Sequence, residues 1–111
     1  MEISCEVFAK RYLPAVRAQM VKILYHEYHL SQKKVSEIIR ITQPAVSQYV
    51  KGRRGSDVYL SKKVMSQINE NVKKIYTLHE HSQLHPNQIR EVFCTICKAI
   101  IREVNTPLRQ L

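Results

Sequence analysis

Apolar residues recur every three or four positions along most of this chain, which is the spacing of one face of an α-helix. A helical segment is predicted around Cys5–Tyr12. Pro14 is then expected to open a longer helix, because the first turn of a helix tolerates the missing proline N–H. This second helix carries an apolar stripe that consists of Ala15, Val16, Met20, Ile23 and Leu24.

Between Ser31 and Arg54 the pattern predicts two short helices joined by a tight turn. The sequence there reads SQKKVSEIIRITQPAVSQYVKGRR. Ser31 is a predicted N-cap, because its hydroxyl can accept a hydrogen bond from a free backbone N–H. Apolar residues at helical spacing follow, and a turn at Arg40 and Ile41 ends this first short helix. The apolar residues of this helix are Val35, Ile38 and Ile39.

A second short helix is predicted to start at Thr42, which is the next N-cap candidate, with Pro44 in its first turn. Its inward face consists of Val46, Tyr49 and Val50. Gly52 is expected to end this helix in a left-handed conformation. Two short helices joined by so small a turn cannot bury their apolar faces on each other alone, so they need the rest of the chain.

Two longer helices are predicted in the C-terminal half. The first covers Val58–Tyr76 and is expected to be capped by Ser56 or Asp57. The polar segment from His79 to His85 is predicted to be a loop. Pro86 is expected to start a last helix with a wide apolar face, which runs through Val104 and ends at Thr106 and Pro107. The chain of 111 residues contains only two glycines and four prolines, which leaves little room for strand turns. The predicted fold class is therefore all-α.

The outward face of the second short helix carries chemistry suited to nucleic acid. Gln43, Ser47, Gln48 and Lys51 project away from the apolar face, and Arg53 and Arg54 continue the run. Glutamine amides can pair with adenine edges, whereas lysine and arginine reach guanine or phosphate. A solvated helix face usually carries Glu–Lys pairs, but no acid occurs from Thr42 to Arg54. The alternative is an ordinary helical hairpin with a polar face.

The net charge of +9 is unevenly distributed. Residues 1–64 contain twelve Lys or Arg and five Asp or Glu, whereas residues 65–111 contain six and four. The basic half is therefore the half with the two short helices, which favours a polyanionic partner.

The segment from Ser31 to Gly52 resembles the helix-turn-helix of lambda-repressor-like transcription regulators. Together with LPAVRA at 13–18, KGRRG at 51–55 and CTIC at 94–97, it is similar to a group of small archaeal predicted transcriptional regulators. Ser36 stands where that pattern usually has Ala, and Arg40 stands where Gly usually makes the turn. A left-handed Arg40 would cost on the order of 1 kcal/mol.

The resemblance implies a sequence-specific double-stranded DNA-binding regulator, with residues 1–57 as the DNA-binding domain and residues 58–111 as a helical extension. It also implies a homodimer. The expected DNA contacts are Thr42, Gln43, Pro44, Ser47, Gln48, Lys51, Arg53, Arg54 and, on the preceding helix, Lys33. Two other functions stay open, namely a basic RNA-associated protein and a protein-interaction module such as an antitoxin or adaptor.

The chain contains three cysteines, Cys5, Cys94 and Cys97, and more than one role is compatible with their positions. Cys94 and Cys97 lie one helical turn apart, a spacing that suits a shared zinc ion, an iron–sulfur cluster or a redox couple. Cys5 would be the third metal ligand, and His79, His81 and His85 are the nearest candidates for a fourth. The alternatives are plain core packing and a thiol redox switch. The early Cys-Glu and the late C-x-x-C look like part of the archaeal pattern, which favours a metal.

Other functions are not expected. No apolar run approaches the roughly 20 residues that a membrane span needs. The acidic N-terminus MEISCEVF does not resemble a signal peptide, so a cytoplasmic protein is predicted. The sequence contains no Gly-rich phosphate loop or nucleophile elbow, and no pairing of a histidine with a nucleophile is visible. We therefore do not expect an enzyme.

Overall fold

The computed structural model describes residues 8–55 and 58–104, and these residues form five helices with no strand among them. The first helix, α1, has an α-helical centre over Leu13–Lys22 between π-helical turns over Phe8–Tyr12 and Ile23–Glu27. The other helices are α2 over Gln32–Ile39, α3 over Gln43–Val50, α4 over Lys62–Glu80 and α5 over Pro86–Val104. The all-α prediction is confirmed for this part of the chain.

The α-helical centre of α1 begins at Leu13 with Pro14 in its first turn, as predicted. The difference from the prediction is that helical turns run without a break from Phe8 to Glu27, because a π-helical turn over Phe8–Tyr12 leads directly into this α-helix. The predicted helical residues Cys5–Val7 lie outside the described residues.

The boundaries of α4 also differ from the prediction. Its N-cap is Ser61, whose side chain accepts a hydrogen bond from the Val64 N–H at 3.2 Å. Val58 and Leu60 therefore precede the helix, and the proposed caps Ser56 and Asp57 lie outside the described residues. The helix continues through Glu80, so the loop before Pro86 is shorter than predicted.

All five helices contribute to one cluster of buried apolar side chains. Helix α1 lies against both α3 and α4, and α4 pairs with α5. None of the described residues with a polar or charged side chain is buried. Within the same residues, none of the helices is long and apolar enough to cross a membrane. The cluster contains Val16, Ala18, Met20, Val21, Ile23, Leu24, Val35, Ile38, Ile39, Val46, Tyr49, Val64, Ile68, Val72, Ile75, Ile89, Val92, Ile96 and Ile100.

Candidate nucleic-acid interface

Helix α2 begins at the predicted cap. The Ser31 hydroxyl accepts a hydrogen bond from the Lys34 N–H at 3.1 Å, and the Ser31 backbone is extended. This bond satisfies one of the free N–H groups that every helix start leaves. Val35, Ile38 and Ile39 are buried, as their spacing predicts. The cap and the buried face together fix the position of α2.

The turn between α2 and α3 contains a left-handed arginine. Arg40 has φ 64° and ψ 48°. The N–H groups of Arg40 and Ile41 both donate to the Ser36 carbonyl, at 2.9 and 3.2 Å. The Ser36 hydroxyl donates to the Lys33 carbonyl at 2.6 Å, so its polarity is satisfied within α2. The turn therefore keeps a left-handed residue although an arginine stands there, at a cost on the order of 1 kcal/mol.

Helix α3 is held at its start by Thr42, which accepts a hydrogen bond from the Ala45 N–H at 3.2 Å. Pro44 occupies the first turn, where its missing N–H costs little. Val46 and Tyr49 are both buried, with 0% and 1% of their surface exposed. The inner face of α3 is therefore anchored in the core along the length of this short helix.

A Schellman motif ends α3. Gly52 has φ 72°, and its N–H donates to the Tyr49 carbonyl at 3.1 Å, while the Arg53 N–H donates to the Gln48 carbonyl at 3.0 Å. These two bonds satisfy carbonyls that the helix end would leave free. They also fix the direction in which the chain leaves the helix. The basic pair, Arg53 and Arg54, follows Gly52 directly.

The outer surface of α3 is polar and accessible. Gln43, Pro44, Gln48 and Lys51 are exposed, and Ser47 is half-buried. An α-helix with its side chains is roughly 10–12 Å in diameter. The major groove of B-DNA is about 12 Å wide and admits an α-helix. A helix with this face outward can present amide and hydroxyl groups to base edges.

Basic residues are exposed in the chain before and after this face. Arg53 and Arg54 are exposed after α3, and the Arg54 guanidinium carbon lies 5.4 Å from the ring centroid of the buried Tyr49. A cation over an aromatic ring is attracted by the ring's electrons, so this contact restrains Arg54. Lys33 and the turn residue Arg40 are exposed as well. The segment 31–54 contains six Lys or Arg residues and one acid, which leaves a locally positive surface.

The single acid of this segment, Glu37, is engaged by its own helix. Its carboxylate lies 3.9 Å from the Lys34 ammonium, and both side chains are about half exposed. Such exposed pairs contribute little to stability. The predicted contacts on α3, at its cap and in the following loop are exposed, apart from the half-buried Ser47, and Lys33 is exposed on the neighbouring helix α2.

Sequence reasoning missed the role of Gly55, which follows the basic pair. Its φ is 73°, and a Cβ built on it would overlap the Pro14 carbonyl group and lie 3.0 Å from the Ala18 Cβ. Only glycine permits so close an approach to α1. The sequence shows only that a glycine directly follows a run of basic residues. The residues that Gly55 contacts on α1 are 37 or more positions away in the sequence, so no local pattern predicts the contact.

Cys94 and Cys97 both lie on α5, which is far along the chain from α3. Cys94 is exposed, whereas Cys97 is half-buried and packs against the core cluster. The exposure of Cys94 does not agree with the core-packing interpretation. Among the described residues, no group of three or more His, Cys, Asp or Glu side chains could hold a metal ion. Cys5 lies outside the described residues.

The histidines proposed as a fourth ligand are dispersed. His79 is half-buried near the end of α4, and His85 is exposed immediately before α5. The Nδ1 atom of His81 lies 2.8 Å from the Thr77 carbonyl oxygen, within hydrogen-bond distance. The two described thiols, without Cys5, supply too few ligands for the zinc or iron–sulfur site that the sequence suggested.

No match to this chain was found among protein-family models, curated proteins or solved structures.

Proposed function

We propose that this chain is a transcriptional regulator that binds double-stranded DNA sequence-specifically, with α2 and α3 as a lambda-repressor-like helix-turn-helix. The observation that carries the proposal is the exposed, acid-free face of α3, which is anchored on its inner side by Val46 and Tyr49 and followed by Arg53 and Arg54. A rigid helix with polar side chains outward and cations at its end fits the requirements of the major groove.

In this proposal, Gln43, Ser47 and Gln48 read base edges. Gln43 and Ser47 are four residues apart, so they lie on one side of α3 and meet neighbouring base pairs. A glutamine amide can donate and accept at the same adenine, which gives directional discrimination. Thr42 and Pro44 stand at the helix start, where recognition helices of this type approach the bases.

Lys33, Lys51, Arg53 and Arg54 are assigned to phosphates. Contacts of this kind set the register of the protein on the duplex and supply affinity without sequence information. The Schellman motif directs the backbone at Arg53, and the Tyr49 ring restrains Arg54. Both devices reduce the conformational entropy that these side chains lose on binding.

A homodimer is part of the same proposal. Two copies would present their α3 helices about one helical turn, roughly 34 Å, apart on a pseudo-palindromic site. The long helices α4 and α5 are the candidates for the contact between copies.

A metal-responsive or redox-responsive function would depend on Cys94 and Cys97, with Cys5 as the third ligand of any metal. The test is iron and zinc analysis of protein purified without oxygen, with the single Cys→Ser variants alongside. Stoichiometric metal that is lost in all three variants would support a sensor, and its absence from the native protein would remove the metal from the proposal.

The DNA proposal is tested by selecting duplexes from a random library and then measuring binding by fluorescence anisotropy. We expect the selected duplex to bind roughly a thousandfold more tightly than a scrambled duplex, or better. Structured RNA is the competitor that tests the RNA-associated alternative. Equal affinity for all duplexes, or stronger competition by RNA, would overturn the proposal. A protein-interaction module would bind neither nucleic acid with this preference.

A further inference from the structure

A cleft of about 650 Å³ lies between α1, the end of α2 and α5. Cavities of a few hundred to a thousand Å³ are the usual size for small-molecule sites in proteins. Apolar side chains provide much of its lining, among them Leu13, Ile39 and Phe93. None of these three side chains is assigned to DNA by the proposed function.

Four cationic side chains line the same cleft. They are Arg17 on α1, Arg40 at the turn after α2, and Arg90 and Lys98 on α5. Among the residues that the structure describes, no aspartate or glutamate lines it. A cleft that has apolar walls and only positive charges among its described lining is complementary to a molecule that has an apolar body and an anionic group.

Arg17 gives the cleft a specific donor. Its Nε atom is buried and has no hydrogen-bond partner among the described residues, and its guanidinium carbon lies 5.8 Å from the Phe93 ring centroid. A buried donor without a partner is costly, and most such groups in proteins are satisfied. An oxyanion would satisfy this donor, and guanidinium groups bind carboxylates and phosphates in a forked geometry.

We propose that this cleft binds a small amphipathic anion. The apolar body of the ligand packs against Leu13 and Phe93, and its carboxylate or phosphate group is held by Arg17 with help from the other three cations. The site includes Arg40, which is also the left-handed residue of the turn between α2 and α3. Binding of the ligand does not depend on the proposed DNA function and is tested without DNA.

A second copy of the chain is a poorer occupant than an anion. Two copies that met through this face would bring two sets of four cations together, and the described lining of the cleft contains no acid to compensate them. Like charges across an interface oppose association. The charge of the cleft therefore favours a small anion over self-association.

The first experiment is calorimetric titration of the full chain with decanoate and with decyl phosphate, each below its micellar concentration. Decanol and decylammonium are the matched ligands without an anionic group. A charge-assisted hydrogen bond in a buried site is worth a factor of roughly 10 to 100 in affinity. We expect at least one anion to bind at least about tenfold more tightly than decanol, and decylammonium to bind least. Comparison of the two anions identifies the preferred head group. Equal binding of decanoate, decyl phosphate and decanol would overturn the proposal.

The second experiment uses charge-removing variants. Arg17→Gln should weaken binding of the preferred anion by roughly tenfold, and the exposed Lys98→Gln by roughly two- to fivefold because solvent screens its charge, whereas binding of decanol should not change. Arg53→Gln removes the same charge outside the cleft and should leave anion binding intact. Lys98 is exposed, so its variant keeps the test valid even if Arg17→Gln does not fold. If Arg53→Gln weakened binding as much as Lys98→Gln did, the attraction would come from net charge, and the proposed site would be wrong.

The third experiment places the ligand. Cys94 is exposed and lines the cleft, so a bound anion should slow its modification by a thiol reagent several-fold. The Cys5→Ser, Cys97→Ser double variant leaves Cys94 as the one thiol of the chain and so isolates this signal. Sedimentation of the same sample without ligand tests whether a second copy of the chain occupies the cleft instead. If the chain dimerises and Cys94 is protected only as it dimerises, the cleft is an interface between copies and the proposal is overturned.

Discussion

Gly55 packs directly against the carbonyl group of Pro14. No space is left for a Cβ at this position, and the backbone of Gly55 is left-handed as well. The contact joins the loop after α3 to the middle of α1. The position of Arg53 and Arg54 therefore depends on α1 as much as on the end of α3.

Replacement of Gly55 by alanine should destabilise the protein more than the same change at Gly52. Both glycines have φ near 70°, but a Cβ at Gly52 meets nothing within 4 Å. Gly52→Ala should cost about 1 kcal/mol for the backbone conformation alone. Gly55→Ala should cost about 1 to 3 kcal/mol more, because its methyl group overlaps backbone atoms. Urea denaturation followed by circular dichroism measures both values, and equal costs would contradict the contact with Pro14.

Replacement of Arg40 by glycine should stabilise the protein. Glycine removes the cost of the left-handed conformation, roughly 1 to 2 kcal/mol, and adds a smaller entropy cost in the unfolded chain. The expected net gain is about 1 kcal/mol in the free energy of unfolding. Arg40→Ala is the matched control, since it removes the side chain but keeps the strained backbone, and it should give no such gain. Ser82→Gly should act in the same direction at the end of α4, where Ser82 has φ 56°.

Replacement of Gln43 by alanine should weaken binding to the selected duplex by roughly 1–3 kcal/mol and leave binding to scrambled DNA nearly unchanged. Gln43 is exposed on the proposed recognition face. Gln83→Ala makes the same change in the loop before α5 and should not affect either affinity. Anisotropy titrations on both duplexes give the comparison. Equal losses on the two DNAs would exclude Gln43 from base recognition.

Replacement of Arg53 by glutamine should weaken binding to every duplex by a similar factor. A lost phosphate contact releases about one counterion fewer, so the slope of log affinity against log salt should decrease by roughly 1. Lys73→Gln removes a charge from an exposed position on α4 and should leave the slope unchanged. An unchanged slope in Arg53→Gln would show that Arg53 does not contact a phosphate.

Tyr76 should make the fold sensitive to alkaline pH. Partial burial raises the pKa of this phenol above its usual value of 10.0, and a hydrogen bond to Glu80 and the negative charge of Glu80 raise it further. The folded state thus holds the proton more tightly than the unfolded chain does. This contribution to stability is complete below pH 10.0 and is lost as the pH rises through and above that value.

The Tyr76→Phe variant should therefore lose less stability than the native protein between about pH 9 and pH 11. The ring of Tyr76 lies 4.4 Å from that of Tyr28, measured between centroids, and phenylalanine preserves this contact. Tyr59→Phe is the control, because Tyr59 is 83% exposed. Urea denaturation at the two pH values measures the difference. If both variants behaved alike, the alkaline loss would come from other groups.

The sequence predicted those features that depend on local interactions. Ser31 and Thr42 were identified as caps because a hydroxyl at a helix start has a partner within three residues. Gly52 was identified as the helix end because its backbone freedom is intrinsic. These short-range interactions also place the outer face of α3 relative to its buried face.

The errors arose where a local signal is ambiguous or where distant elements meet. Pro14 marks the start of the α-helical stretch of α1, but the sequence does not encode the π-helical turn that joins it to the segment before it. Leu60 fits a helical stripe, yet an apolar spacing does not distinguish a helix from an extended segment that covers the core. The cationic cleft combines side chains from α1, the α2–α3 turn and α5, which are far apart in the chain. No periodicity in the sequence encodes that arrangement.

Tyr49 has a spectroscopic consequence. It is the only fully buried aromatic side chain in the described part of the chain, and the whole sequence contains no tryptophan. Near-ultraviolet circular dichroism arises from aromatic rings that are held in one orientation. The Arg54 guanidinium lies over the same ring. The protein therefore carries an intrinsic optical reporter at the place where its core meets its basic loop.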